Sequence, residues 1–191
     1  MRKLLLSAVM LATSVVQAHA AVVNFSANLT GDQEVPRVVT GASGNATLEL
    51  NDSQTELFID LFVRGIFLSD LVGAPGIHIH QGPAGTNGPV VFGFGPTGFN
   101  NNIDGDESFV ESATGFSLSA VWDVGEGTVD LASAVPDLLA GNLYINVHTN
   151  DHLSGEIRGQ ISAVPLPASF LLLSGGLAAL GFAARKKKKQ V

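Results

Sequence analysis

An antiparallel β-sandwich or Greek-key barrel of about eight strands is the fold this sequence predicts, and three observations predict it. Apolar and polar residues alternate at a period of two in one segment after another between residues 24 and 162. Clusters of Gly, Asn, Asp and Pro interrupt that alternation at short intervals. Helical spacing is confined to a turn or two at 136–140, which Gly141 stops.

The strands follow in order. Residues 24–29 and 46–50 open the pattern, and 57–63 shows it most clearly. There Leu57, Ile59, Leu61 and Val63 share one face while Phe58, Asp60 and Phe62 share the other. Further strands are expected at 76–80, 89–94, 116–122, 142–148 and 155–162. Short strands without long helices indicate sheet packed on sheet, or a sheet curled on itself.

Both ends of the chain lie outside this pattern. Arg2 and Lys3 precede an apolar stretch at 4–16, and Ala18 and Ala20 then supply a small-x-small cleavage site. This is the charged, apolar and cleavage order of a secretory signal peptide at 1–20, and its apolar run is shorter than the about 20 residues a spanning helix needs. At the other end an apolar run reaches Ala184 and is followed by Arg185 and four lysines. A hydrophobic helix capped by cations orients its end to the cytoplasm and leaves the preceding domain outside the inner membrane.

Between the ends, 21–163 is long enough for one domain. All seventeen carboxylates fall in it against three arginines, Arg37, Arg64 and Arg158, a net charge of −14. Nucleic acid needs clustered cations and is excluded as a partner on that balance. No cysteine occurs, so packing alone must hold the fold, and thiol chemistry is excluded.

Chemistry concentrates in two strands. Residues 76–82 read Gly-Ile-His-Ile-His-Gln-Gly, which places His78 and His80 on one face and Ile77 and Ile79 on the other. In 144–148, Tyr144, Asn146 and His148 share a face, and Glu156, Arg158 and Gln160 are aligned in the same way. Two readings stand side by side. His78, His80 and His148, with His152 as a further candidate, can ligate copper or zinc, because imidazole suits both and a His-x-His strand presents two ligands together. Alternatively the histidines join Tyr144, Asn146, Glu156 and Arg158 in a hydrogen-bonded network that fixes strand register. No Gly-x-Ser-x-Gly elbow occurs and no pair of carboxylates stands out, so an enzyme is not the expectation.

A third candidate lies at 100–111. Against a calcium-loop template, Asn100, Asn102 and Asp104 occupy the first ligand positions, Gly105 the turn and Glu111 the closing carboxylate. Asn100 replaces the usual Asp and Glu107 takes a normally apolar position, so a solvated acidic loop is the simpler expectation.

Three resemblances rest on particular segments of the chain. The segments at 78–90 (His-Ile-His-Gln-Gly-Pro-Ala-Gly-Thr-Asn-Gly-Pro-Val), 141–149 and 155–160, with Phe-Ser-Ala-Asn-Leu-Thr-Gly-Asp-Gln-Glu-Val-Pro at 25–36, resemble the CHRD domain, first described as repeats in chordin. That resemblance implies binding and extracellular architecture more than catalysis. The His-x-His strand is also loosely similar to the copper site of copper-zinc superoxide dismutases, but the further metal-loop histidines and the disulfide of those enzymes are missing. At the C-terminus, Val164, Pro165, Leu166, Pro167 and Ala168 before the apolar run and basic end resemble a PEP-CTERM sorting signal of the VPLPA type. It implies an exosortase-type protease as a partner, a Gram-negative host, and passage through the inner membrane to the cell surface or medium. There an extracellular polysaccharide or protein is the expected partner class, and the expected role is structural or binding.

Overall fold

The computed structural model describes residues 21–73, 76–94 and 105–165. Among these residues ten strands form one antiparallel sheet that curls around a hydrophobic core. They are β1 (Val23–Thr30), β2 (Ser43–Leu50), β3 (Glu56–Arg64), β4 (Ile77–Gln81) and β5 (Val90–Gly93). The second half adds β6 (Ser108–Ser112), β7 (Gly115–Asp123), β8 (Leu143–Val147), β9 (Ile157–Gln160) and β10 (Ser162–Ala163), with one helix, α1 (Leu131–Leu139), before β8. Spatial order is β5-β4-β8-β9-β1-β2-β3-β7-β6, and β10 pairs with β1. The all-β antiparallel expectation is met.

Alternation in the sequence decides which side of the sheet faces in. Along β3, Leu57, Ile59, Leu61 and Val63 are buried. Their cross-strand neighbours Trp122, Ala120, Leu118 and Phe116 on β7 are buried as well. Because the side-chain period is two, slipping this register by one residue would turn the whole apolar set outward, so the register is strongly specified. Aromatic packing closes the core: Phe92 stacks on Trp122 at 4.9 Å and meets Phe94 edge-on at 5.2 Å. The Trp122 indole N–H donates to the Glu126 carbonyl at 3.1 Å, so the buried ring keeps its polar atom satisfied.

Three elements differ from the expectation. The helix begins five residues earlier than the 136–140 turn, and Pro136 lies inside it. Leu131, Ala134, Val135 and Leu138 are buried at the i, i+3, i+4, i+7 spacing of one helical face. Burial of that stripe outweighs the one backbone bond that proline cannot make. Strand β6 falls where the calcium-loop template ends, and Glu111 belongs to it. The strand expected at 155–162 divides into β9 and β10 at Ile161, whose N–H turns to the Leu143 carbonyl at 2.9 Å.

The curl gives the sheet an inner and an outer face. On the β2–β3–β7 half most outer side chains are exposed. On the β4–β8–β9 half the outer residues are largely buried, and every residue of β8 is buried on both faces. A second layer of loops covers that half, and beneath it lies the histidine cluster.

Candidate metal centre

Register assembles the cluster. His78 pairs with Asn146 and His80 with Tyr144, so β4 and β8 place their outward side chains in adjacent rows. His148 follows immediately after β8, where its N–H donates to the Gly76 carbonyl at 2.7 Å. Ring centroids are 5.8 Å apart for His78 and His80, 5.1 Å for His78 and His148, and 5.6 Å for His80 and His148. One ring nitrogen from each lies within 4.8 Å of the others. His152 is not part of this group.

Loops orient two of the rings. His80 Nδ1 lies 2.9 Å from the Gly88 carbonyl and His148 Nδ1 lies 3.1 Å from the Leu153 carbonyl. A carbonyl only accepts, so each Nδ1 carries the proton and each Nε2 presents a lone pair. Both Nε2 atoms are buried without a hydrogen-bond partner. Burial pushes the His80 imidazolium down to about 4, against a smaller raising effect of the Gly88 carbonyl, with His148 and Arg158 lowering it further. His148 is lowered for the same first reason, desolvation. Both rings are therefore neutral near pH 7.

The covering loop at 82–88 needs glycine to come this close. A Cβ on Gly88 would run into the Gln81 carbonyl. With no side chain there, the Gly88 N–H donates to the Tyr144 hydroxyl at 3.1 Å while its carbonyl takes the His80 proton. Tyr144 stacks on His80, with centroids 5.0 Å apart and planes 10° from parallel. On its other face the Arg158 guanidinium carbon lies 3.4 Å from the ring centroid.

Arg158 is buried and anchors the same loop. It donates to Pro83 O and Asn87 Oδ1, each at 3.2 Å, and to Gln160 Oε1 at 3.4 Å. Neutral oxygens thus take the place of the carboxylate that a guanidinium fork ordinarily finds. Asn87 in turn donates to the Val35 carbonyl at 2.6 Å and ties in a second loop. Beside it Glu34 is only 6 % exposed, and desolvation raises its carboxyl to about 7 although Arg158 pulls the other way. A Cβ on Gly155 would lie 2.6 Å from Glu34 Oε1 and 2.5 Å from Asn146 Oδ1, so glycine lets these two buried oxygens share one corner of the site.

The structure thus brings together His78, His80, His148, Tyr144, Asn146 and Arg158, and adds Glu34. Sequence reasoning missed Glu34 as a site residue because it stands in a loop with no periodic signal; the Gln-Glu-Val-Pro stretch was its only mark. Glu156 stands apart: its two carboxylate oxygens accept from the Thr40 and Thr149 hydroxyls, each at 2.7 Å. Of the calcium-loop residues, Asn100, Asn102 and Asp104 lie outside the described residues, and Glu111 accepts the Leu68 N–H at 3.2 Å. Ala18, Ala20, Leu166, Pro167 and Ala168 also lie outside the described residues, while the Val164 N–H donates to the Asn24 carbonyl at 2.8 Å.

The site lies within the part of the chain that a family model matches. A family model for the CHRD domain matches residues 25–161, which includes every strand from β2 to β9 and each histidine of the cluster. The chain belongs to the CHRD family. A second model, the PEP-CTERM protein-sorting motif, matches residues 163–188 directly after the CHRD domain. The two together make the chain an exosortase-sorted extracellular CHRD protein, exported to the cell envelope or surface. No curated relative and no solved structure matches the chain at significant similarity. Among the described residues no helix is long and apolar enough to cross a membrane; the apolar C-terminal stretch lies outside them.

Proposed function

We propose that this CHRD domain is a surface-displayed binding module whose covered face holds one copper or zinc ion through His78, His80 and His148. Supporting it is the convergence of three ring nitrogens within 4.8 Å, with two of the rings locked by carbonyls in the tautomer that exposes Nε2. A buried polar atom without a partner costs about 1–3 kcal/mol, so two lone pairs aimed into one space form an arrangement that a cation would stabilise. Carbonyl acceptors behind ligating histidines are the usual device for fixing ring orientation. Nitrogens around a tetrahedral zinc at about 2.0–2.1 Å stand roughly 3.3 Å apart, so an ion would draw these three, now within 4.8 Å of one another, closer together. Three protein ligands leave the fourth position to water or a partner's side chain.

Around that centre the rest of the reading is architectural. The chain loses residues 1–20 by cleavage after Ala20, passes the inner membrane, and is cut at its C-terminal signal by the exosortase-type protease. The network of Tyr144, Asn146 and Arg158 holds the loops over the site and contributes to stability whether or not an ion is bound. Calorimetric titration of the exported protein, in buffer stripped of metal, tests the centre. One zinc or copper ion per chain is expected, with affinity reduced at least tenfold in His148→Ala. No binding at micromolar metal, or equal binding in the variant, overturns the centre.

A further inference from the structure

The opposite half of the sheet carries a second surface of a different kind. Its outer face is crossed by an unbroken row of short polar side chains. Ser26, Thr47, Asp60, Ser119 and Ser108 are successive cross-strand partners on β1, β2, β3, β7 and β6. The Ser119 hydroxyl donates to Asp60 Oδ1 at 2.6 Å, which fixes the central carboxylate. Two residues to either side along β3 stand Phe58, 42 % exposed, and Phe62, half-buried with the Arg64 guanidinium 5.4 Å from its ring centroid. At about 3.4 Å per residue the two rings bracket the polar row over about 14 Å.

The surface between them is a shallow trough. A hollow of about 250 Å³ beside Phe58 and one of about 150 Å³ beside Phe62 share Thr47 and Asp60 as lining. Phe58, 42 % exposed on the sheet face, leaves apolar area in water that contributes nothing to the stability of the domain alone.

We infer that this trough is a docking platform for a neutral polysaccharide. A sugar ring has an apolar C–H face and a rim of hydroxyls. Phe58 and Phe62 offer flat apolar faces for the first, and Ser, Thr, Asn and Asp offer short donors and acceptors for the second. These side chains are short and hold few rotamers, so they lose little freedom on binding. An open trough accepts a chain that continues past both ends, whereas a small molecule needs a concave pocket that buries most of its surface. Charge selects among polymers: the domain carries −14 and the trough itself holds Asp60 and Glu49, so a polyanion is repelled. A protein partner requires a larger interface with an apolar centre, and two separated rings among polar groups do not supply one. Export through the PEP-CTERM signal delivers the platform to the space where such polymers occur.

Affinity electrophoresis of the exported protein tests this, in native gels holding hydroxyethylcellulose, dextran, galactomannan or, as the polyanion, alginate. Wild type should be retarded in at least one of the three neutral gels and not in alginate. The Phe58→Ala/Phe62→Ala double variant should lose affinity at least tenfold. Thr47→Val, which removes one hydroxyl at constant shape, should weaken binding several-fold. Val39→Ser, a change at an exposed apolar residue elsewhere, should bind as wild type does. Unretarded wild type in all three neutral gels, retardation by alginate alone, or wild-type affinity in both the double variant and Thr47→Val overturns the inference.

Discussion

The two halves of the outer sheet face were built from the same alternating strand pattern and end in opposite states. On β4, β8 and β9 the outward residues are His78, His80, Tyr144, Asn146 and Arg158, and three loops bury most of them. On β2, β3 and β7 the outward residues are Asn45, Thr47, Phe58, Asp60, Phe62 and Ser119, and among the described residues most of them are exposed. Burial decides what each set can do. Covered, the His80 and His148 imidazoles are neutral and present lone pairs; the phenyl rings and hydroxyls of the open half keep their ordinary chemistry and present a contact surface.

The sharpest difference is in stability. Arg158→Ala removes the buried guanidinium that holds Pro83, Asn87 and Gln160 and lies against the Tyr144 ring, and leaves a void where it stood. It should lower the free energy of unfolding by about 3 kcal/mol in urea denaturation. Phe62→Ser on the uncovered half should change it by less than about 1 kcal/mol. Equal losses in the two variants would erase the distinction between the halves.

A smaller effect is expected with pH, in metal-free buffer. His80 titrates near 4 in the folded chain and near 6.5 when unfolded, so between those values the unfolded chain binds a proton that the folded chain does not. Stability therefore falls as pH drops from about 6.5 to about 4, and His148 adds to the fall. Glu34 acts with the opposite sign. Its carboxyl titrates near 7 when folded and near 4.5 when unfolded, so the folded chain retains the extra proton and stability falls as pH rises through that window. Glu34→Gln cannot ionise. Its stability relative to wild type should therefore climb between pH 4.5 and 7 and then level off. A difference that stays constant with pH would show that Glu34 is not held in the buried corner beside Asn146.

Much of this was legible in the sequence and some of it was not. A period of two specifies the face of a residue, so the apolar sets of β3 and β7 and the grouping of His78 with His80 could be read directly. Chain separation hides what lies above a face. Gly88 and Leu153 orient the two rings through backbone carbonyls, and a carbonyl is present at every residue, so nothing in the sequence singles out these two. Glu34 escaped for a related reason: it is buried beside residues more than a hundred positions away, Asn146 of β8 and Gly155. Pro136 misled in the other direction, because a proline reads as a helix start while the buried stripe begins at Leu131.

The central claim is that the loop-covered half presents three imidazoles, His78, His80 and His148, to one cation. A metal that binds only the folded state stabilises it by mass action, by about 2.7 kcal/mol at a concentration one hundred times its dissociation constant. The most direct measurement is the melting temperature of the exported protein at pH 7, with and without zinc or copper, in wild type and His80→Ala. The account predicts a rise of several degrees in wild type and none in His80→Ala. The same rise in both proteins, or no rise in either, would contradict it.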